Sequence, residues 1–183
     1  MTEPVFNKIA IIGAGLIGAS IARAAVEYGA AGTVSLYDSS EDVRQRAAGI
    51  ALGDVADNLA TAVAEADCVF LCVPVGALQA VAADAVPLMM AGAVLTDVGS
   101  VKGQATEALA AAADGRVHII PGHPIAGTEQ SGPEAGFPTL FRNAWHILTP
   151  LADGDDNYGA AVSMLEAFWT QLGATFETMD AAR

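Results

Sequence analysis

Residues 13–18 read Gly13-Ala14-Gly15-Leu16-Ile17-Gly18 and follow an apolar run, Lys8 to Ile12. The pattern beyond them is helical from about Leu16 to Tyr28, and Gly29 ends it. Spaced glycines alone are weak evidence, but glycines between a strand and a helix are the signature of a dinucleotide-binding turn. A plain strand-to-helix turn and a site for FAD remain as alternatives.

Each glycine in this stretch has a separate physical task. Gly13 would form the tight turn, Gly15 would let a pyrophosphate approach the backbone, and Gly18 would let the helix lie close to the strand. The N–H groups of the first helical turn, which contains Leu16 and Ile17, would then bind the pyrophosphate at the positive end of the helix dipole.

An acidic residue stands where such a site needs one. Asp38 ends the next apolar run, twenty residues past Gly18, and a carboxylate there would accept hydrogen bonds from the adenosine ribose. It would also repel a 2′-phosphate, which favours NAD over NADP as the cofactor. Ser39, Ser40 and Arg44 could bind that phosphate if the carboxylate turned away.

Short apolar runs alternate with alanine-rich helical stretches, as in repeated βαβ units. Further strands are predicted at Thr33 to Tyr37, Cys68 to Val73, Ala93 to Asp97, Val117 to Pro121, Ala144 to Thr149 and Thr175 to Glu177. Further helices are predicted from about Glu41, followed by an irregular stretch to Leu59, and at Leu78 to Met90, Lys102 to Ala113 and Tyr158 to Leu172. We therefore predict an α/β fold with one doubly wound, mostly parallel sheet.

Composition excludes several classes of protein. A hydrophobic fraction of 53% is too high for a disordered chain, and a net charge of -13 would repel nucleic acid and anionic membranes. No apolar run is long enough to cross a bilayer and the N-terminus lacks a signal-peptide pattern, so we expect a cytoplasmic protein. Cys68 and Cys72, the two cysteines, are expected to be reduced core thiols rather than a metal or redox pair.

Two polar, glycine-rich segments, residues 96–102 and 122–132, follow predicted strands at the edge where doubly wound sheets bind ligands. In the second segment His123 precedes Pro124, so its backbone is restricted to extended conformations. A neutral imidazole there could accept a hydroxyl proton as a hydride leaves the same carbon. From spacing alone, a structural histidine is the alternative.

Ser100, in the first segment, can cap the following helix, and its hydroxyl could also face the nicotinamide or the substrate hydroxyl. Val73 and Pro74 end a buried strand at the same edge and, with Ser100, are predicted to contact the cofactor. His118 and His146 lie inside predicted strands and are expected to be structural. The residues expected around the substrate or at a domain interface are Lys102, Gly127, Thr128 and Glu129.

Three segments together resemble the prephenate, arogenate and cyclohexadienyl dehydrogenases. They are residues 13–20, which end in Ala19-Ser20, residues 97–102 (Asp97-Val98-Gly99-Ser100-Val101-Lys102) and residues 123–132 (His123-Pro124-Ile125-Ala126-Gly127-Thr128-Glu129-Gln130-Ser131-Gly132). The glycine segment is generic, whereas the histidine segment is specific. The likeness spans roughly residues 8–183 and implies NAD-dependent oxidative decarboxylation of prephenate or arogenate in tyrosine biosynthesis.

The resemblance also implies roles for two residues. The histidine matching His123 would hydrogen-bond the ring hydroxyl and assist its deprotonation, while the serine matching Ser100 would orient the same site. Hydride would pass to C4 of the nicotinamide, and loss of carbon dioxide would complete an aromatic ring. No metal is needed for that chemistry.

The same family carries a mostly helical C-terminal domain that dimerises and binds substrate, and we expect it to be missing here. Residues 1–178 would form the dinucleotide-binding domain, and 179–183 would begin the interdomain helix, with Thr178 as its cap. The chain alone would then be inactive, and the full-length protein would be a homodimer. Alternatives are another two-domain dehydrogenase, such as a β-hydroxyacid dehydrogenase or a pyrroline-carboxylate reductase, or a catalytically silent NAD-binding module. The segment after the predicted strand Val117 to Pro121 argues against the other dehydrogenases.

Overall fold

Strands and helices alternate through residues 3–100, 102–151 and 156–179, which the computed structural model describes. The strands are β1 (Phe6–Ile12), β2 (Ala31–Tyr37), β3 (Asp54–Val55), β4 (Cys68–Leu71), β5 (Val94–Asp97), β6 (His118–Ile119), β7 (Gly122–Pro124), β8 (Trp145–Leu148) and β9 (Thr175–Thr178). The helices are α1 (Leu16–Glu27), α2 (Glu41–Gly49), α3 (Leu59–Val63), α4 (Leu78–Ala85), α5 (Lys102–Ala110) and α6 (Asp156–Gln171). In this described part of the chain, no helix combines the length and apolar character that a membrane span needs.

Six strands form one parallel sheet in the order β3-β2-β1-β4-β5-β6. β1 lies in the middle, where Ile9 pairs with Val34 of β2 and with Cys68 of β4. The order reverses between β2 and β4, so the carboxyl ends of β1 and β4 border the crevice where doubly wound sheets bind ligands. The predicted doubly wound, parallel fold is confirmed.

The sheet is buried on both faces, and the side chains of each central strand alternate between two cores. Ile9 and Ile11 pack into a core with α1 and α6, whereas Ala10 and Ile12 pack into a second core with α3, α4 and α5. All four are at most 3% exposed, which explains why the strands read as unbroken apolar runs.

The last three strands form a separate sheet in the order β7-β8-β9, which differs from the single sheet that we predicted. β7 and β8 are antiparallel, and β8 and β9 are parallel. The segment Gly122–Pro124, which we expected to be a loop, is therefore a strand. Ile125 N–H donates to the carbonyl of Trp145, so the ladder bonds of β7 fall on odd-numbered residues and Pro124 needs no N–H.

The strand β3 and the helix α3 were not predicted, because Gly49, Gly53 and Asn58 make the sequence pattern in this region irregular. β3 pairs with β2, and Asn58 caps α3 by accepting a hydrogen bond of 2.9 Å from the N–H of Thr61.

The helix α4, which was predicted to reach Met90, ends at Ala85. Pro87 interrupts its hydrogen bonding, and Val86–Leu88 continues it as a tighter 3-10 turn.

The strand β9 ends at Thr178, which is also the last residue of the expected dinucleotide-binding domain. Met179 N–H still donates to the carbonyl of Leu148, so the pairing of β9 with β8 extends to this residue. The rest of the interdomain helix expected at 179–183, residues 180–183, lies outside the described part of the chain.

An aromatic cluster joins the two sheets through α6. Phe168 lies 5.0 Å from the Phe70 ring of β4, and Trp169 lies 5.1 Å from the Phe141 ring. Trp169 also stacks on the imidazole of His146 in β8, with ring centroids 3.9 Å apart and planes inclined by 18°. All five rings are fully buried. α6 therefore fixes where the small sheet sits relative to the parallel sheet.

We predict that Trp169→Ala lowers the free energy of unfolding by about 3–5 kcal/mol, because it leaves a cavity in this cluster. Urea titration followed by far-ultraviolet circular dichroism measures the loss. Trp145→Ala is the matched control, since Trp145 is 51% exposed and should cost less than about 1 kcal/mol. Equal losses for the two variants would contradict this account of the cluster.

Candidate active site

The predicted site segments meet at one edge of the parallel sheet. The order of strands places Asp38 after β2, Gly13 after β1, Pro74 after β4 and the residues up to Ser100 after β5. Gly122 follows the end of β6 after two intervening residues. Neighbouring strands lie about 4.8 Å apart, so the edge from β2 to β6 is about 19 Å long. An extended dinucleotide can lie along an edge of this length.

The glycine turn is shaped by close contacts of the backbone. Gly13 has a φ of 103°, and a Cβ on it would collide with the carbonyl oxygen of Cys72. A Cβ on Gly18 would collide with the carbonyl oxygen of Gly13, since the first turn of α1 packs against the strand end. Gly15 differs, because a Cβ there would meet no atom within 4 Å. The fold therefore requires glycine at 13 and 18 but leaves open space at 15.

The N-terminus of α1 is suited to an anion. Gly15 is the N-cap, no side chain caps the helix, and the first turn carries no acidic residue. The N–H groups of this turn are thus available to a ligand, and the helix dipole favours negative charge there.

Asp38 lies against the glycine turn. Its Oδ2 accepts a hydrogen bond of 2.9 Å from Ala14 N–H, and its Oδ1 accepts one of 2.9 Å from Ser40 N–H. A carboxylate has about four acceptor positions, so these two bonds leave capacity for a ligand hydroxyl. Arg44 donates to the carbonyls of Asp38 and Ser39, at 2.7 and 3.3 Å, so backbone oxygens already hold its guanidinium.

Asp97 is a central residue of the site to which the sequence pattern assigned no role. Its side chain is fully buried, Oδ2 accepts a 2.8 Å hydrogen bond from Gly99 N–H, and Oδ1 accepts a 3.0 Å hydrogen bond from Gly122 N–H. One carboxylate thus joins the segments that carry Ser100 and His123. The sequence signal was a charged residue ending an apolar strand, where burial requires hydrogen-bond donors.

His123 lies on β7, half-buried, and pairs with Ile147 of β8. The register places its side chain on the outer face of the small sheet, next to Ile125 and Trp145, which are 53% and 51% exposed. Ser100 follows Gly99 and is exposed. The backbone of His123 is therefore held by a β-ladder, and its side chain faces outward.

Two further predicted residues, Val73 and Pro74, lie beside the glycine turn. Val73 Cγ1 comes within 3.4 Å of the position that a Cβ on Gly13 would occupy, while Pro74 is exposed beside it. Gly127, Thr128 and Glu129 are exposed. Lys102 begins α5, but its side chain and all of Val101 lie outside the described part of the structure.

The remaining histidines and cysteines occupy the interior or its margin. His146 is fully buried against Trp169, and His118 contacts the ring of Tyr158 edge-on, at 5.9 Å. Cys68 and Cys72 are free thiols whose pKa values are raised by burial. Among the described residues, no group of three or more His, Cys, Asp or Glu side chains is arranged to hold a metal ion.

A glycine turn that opens a helix, an acid at the end of the next strand, and polar segments along one edge of a parallel sheet define a Rossmann-type dinucleotide-binding domain. The family model described as prephenate dehydrogenase, nucleotide-binding domain, matches residues 21–178. This chain belongs to that family, as the resemblance of the three segments predicted.

Individual relatives agree with this assignment. The chain is 45% identical to the cyclohexadienyl dehydrogenase of Zymomonas mobilis over 178 aligned residues. The alignment covers 97% of this chain and 59% of that protein. A crystal structure of Aquifex aeolicus prephenate dehydrogenase with hydroxyphenyl propionate and NAD+ is similar with a TM-score of 0.86 and 26% identity, over 100% of this chain and 62% of that one. Synechocystis arogenate dehydrogenase gives a TM-score of 0.86 and 27% identity, over 96% and 60%. The chain thus spans about three fifths of the length of these relatives.

We predict that Gly15→Ala and Gly18→Ala fail in different ways. Gly18→Ala should lower the free energy of unfolding by about 1–3 kcal/mol, because its methyl group meets backbone. Gly15→Ala should fold with nearly unchanged stability but bind NAD more weakly, because its methyl group enters the open space at the helix N-terminus. Thermal unfolding and calorimetric titration with NAD measure the two effects. Normal NAD affinity in a folded Gly15→Ala variant would place the ligand elsewhere.

Proposed function

We propose that this chain binds NAD and presents it to a substrate hydroxyl beside His123, as the cofactor domain of a prephenate or arogenate dehydrogenase. The observation that carries the proposal is the Asp97 carboxylate, which holds the segments of Ser100 and His123 together at the edge where the glycine turn lies. Membership of the prephenate dehydrogenase family supports the same conclusion.

The described residues fit NAD. The uncapped N-terminus of α1 and the open space at Gly15 suit a pyrophosphate, and the Asp38 carboxylate suits the adenosine ribose. Arg44 is engaged with backbone carbonyls, which favours a 2′-hydroxyl over a 2′-phosphate beside Asp38. The nicotinamide, when bound, would accept a hydride from the substrate.

His123 would act on the substrate rather than on the cofactor. A neutral imidazole can accept the proton of a ring hydroxyl while the carbon that bears it loses a hydride. The ladder of β7 and β8 holds the backbone of His123, which limits the directions that the ring can take. Ser100, beyond Gly99, would orient the same hydroxyl, and carbon dioxide would leave the substrate ring to complete its aromatisation.

Turnover would also need groups beyond those described. A substrate with two carboxylates has to be held against a chain of net charge -13, and the segments assigned here offer His123 and Lys102 as their basic residues. We propose that the helical domain of the family supplies further cationic groups and the dimer contact. The choice between prephenate and arogenate would depend on that domain, and the 183-residue chain by itself would bind NAD with little or no turnover.

We predict that the chain binds NAD more tightly than NADP. Asp38→Asn should weaken NAD binding about tenfold, because a charge-assisted hydrogen bond to the ribose is lost, and should reduce the ratio of NAD affinity to NADP affinity. Calorimetric titration with each dinucleotide tests this. Asp84→Asn, an exposed position on α4, is the control and should bind like wild type. Tighter NADP binding by the wild-type chain would overturn the assignment of Asp38.

For a protein that includes the helical domain, we predict that His123→Asn folds and binds NAD normally but loses about 10²- to 10⁴-fold in kcat with prephenate or arogenate, because the general base is missing. NADH formation at saturating substrate measures kcat. His118→Asn is the control for replacing a histidine and should retain most turnover. A kcat within a few-fold of wild type for His123→Asn would remove His123 from the mechanism.

A further inference from the structure

A single segment connects the strand of His123 to helices α1 and α2. Residues 125–137, named the strap here, follow β7 and contain one short turn, Pro133–Ala135. The sequence pattern drew attention to this segment through Gly127, Thr128 and Glu129, but it did not indicate where the segment ends in space.

The first end of the strap is fixed beside His123. Ile125 N–H donates a 2.7 Å hydrogen bond to the carbonyl of Trp145, which continues the β7–β8 ladder. The middle of the strap is exposed from Gly127 to Ser131, where a bond from Gln130 N–H to Thr128 Oγ1 is local.

The second end of the strap lies on α1, the helix that begins at the glycine turn. Gly136 packs so closely on this helix that a Cβ would come within 2.5 Å of Ala19 Cβ. Phe137 N–H donates to Ser20 Oγ at 3.1 Å, and Ser20 is fully buried. The second end of the strap therefore contacts α1 at Ala19 and Ser20, the last two residues of the segment 13–20.

A paired side-chain contact fixes the strap to α2, the helix that follows Asp38. Arg46 Nε donates to Glu134 Oε1 at 2.8 Å and its Nη2 donates to Glu134 Oε2 at 2.5 Å, which is the bidentate geometry that guanidinium and carboxylate favour. Asp42 is also near, with its Oδ2 3.4 Å from Arg46 Nη1. The bonds from Arg46 lower the pKa of Glu134, so the contact is intact at neutral pH and is lost as the pH falls through this lowered pKa.

One end of the strap therefore lies beside His123 on β7, and the other end lies on α1 and α2, the helices that follow the glycine turn and Asp38. We propose that Arg46 and Glu134 are positioning residues that act through the strap, holding its second end in place so that NAD binding and the placement of Gly127 to Glu129 are coupled. The inference rests on the proposed cofactor site. Without the Arg46–Glu134 contact, NAD binding would include the entropic cost of ordering the exposed middle of the strap, and the affinity for NAD would fall.

The test uses the 183-residue chain and NAD, well below the unfolding temperature. Glu134→Gln and Arg46→Gln should each weaken NAD binding about two- to fivefold, the range of a well-formed exposed ion pair. The double variant should bind NAD no more weakly than Arg46→Gln, because each of the three variants removes the Arg46–Glu134 contact. In hydrogen exchange, NAD should slow the amides of residues 126–132 in wild type and slow them less in the variants.

Arg116→Gln is the matched control. Arg116 forms a similar exposed ion pair with Asp114, at 2.7 Å, at the opposite end of the strands, and its loss should leave NAD affinity and strap exchange unchanged. If the strap variants bind NAD like wild type, or if NAD does not protect residues 126–132, the strap proposal is wrong. If wild type itself fails to bind NAD, the proposed function fails instead. Equal weakening in Arg116→Gln would show that loss of stability, rather than the strap, causes the effect.

Discussion

The buried carboxylate of Asp97 is the constraint on which the site depends. A carboxyl group with no solvent exposure needs hydrogen-bond partners within the protein, and Gly99 N–H and Gly122 N–H meet that requirement. The end of β5 and the start of β7 are therefore held to each other. A shift of either segment by one residue would remove one of these two hydrogen bonds from a buried carboxylate, so the backbones that carry Ser100 and His123 are held in place by this residue.

The parts of the molecule set by local sequence were predicted well. The turn at Gly13 and Gly18, the end of α1 at Gly29 and the strands buried on both faces all follow from backbone conformation or from alternation within a few residues. The small sheet was not predicted, because Gly122–Pro124 is too short to show a period. The contact of Arg46 with Glu134 joins residues 88 positions apart, and no local pattern indicates it.

The structure also changes the account of His123. A loop residue would owe its direction to the following proline alone, whereas His123 lies on a strand whose neighbour, β8, is fixed by the stack of His146 on Trp169. The aromatic cluster around α6 thus connects the core of the parallel sheet to the small sheet and fixes the position of β8. Stability of the core and precision of the site are coupled through this one helix.

The two tryptophans give the molecule a built-in optical contrast. Trp169 is fully buried and stacked on an imidazole, while Trp145 is half in solvent on the face of the small sheet that also presents His123. The emission of Trp145 should lie at longer wavelength, and a reduced nicotinamide nearby would absorb part of the light from either ring. Changes at the outer face of the small sheet and changes in the core would therefore appear as separate spectral changes in the same unlabelled chain.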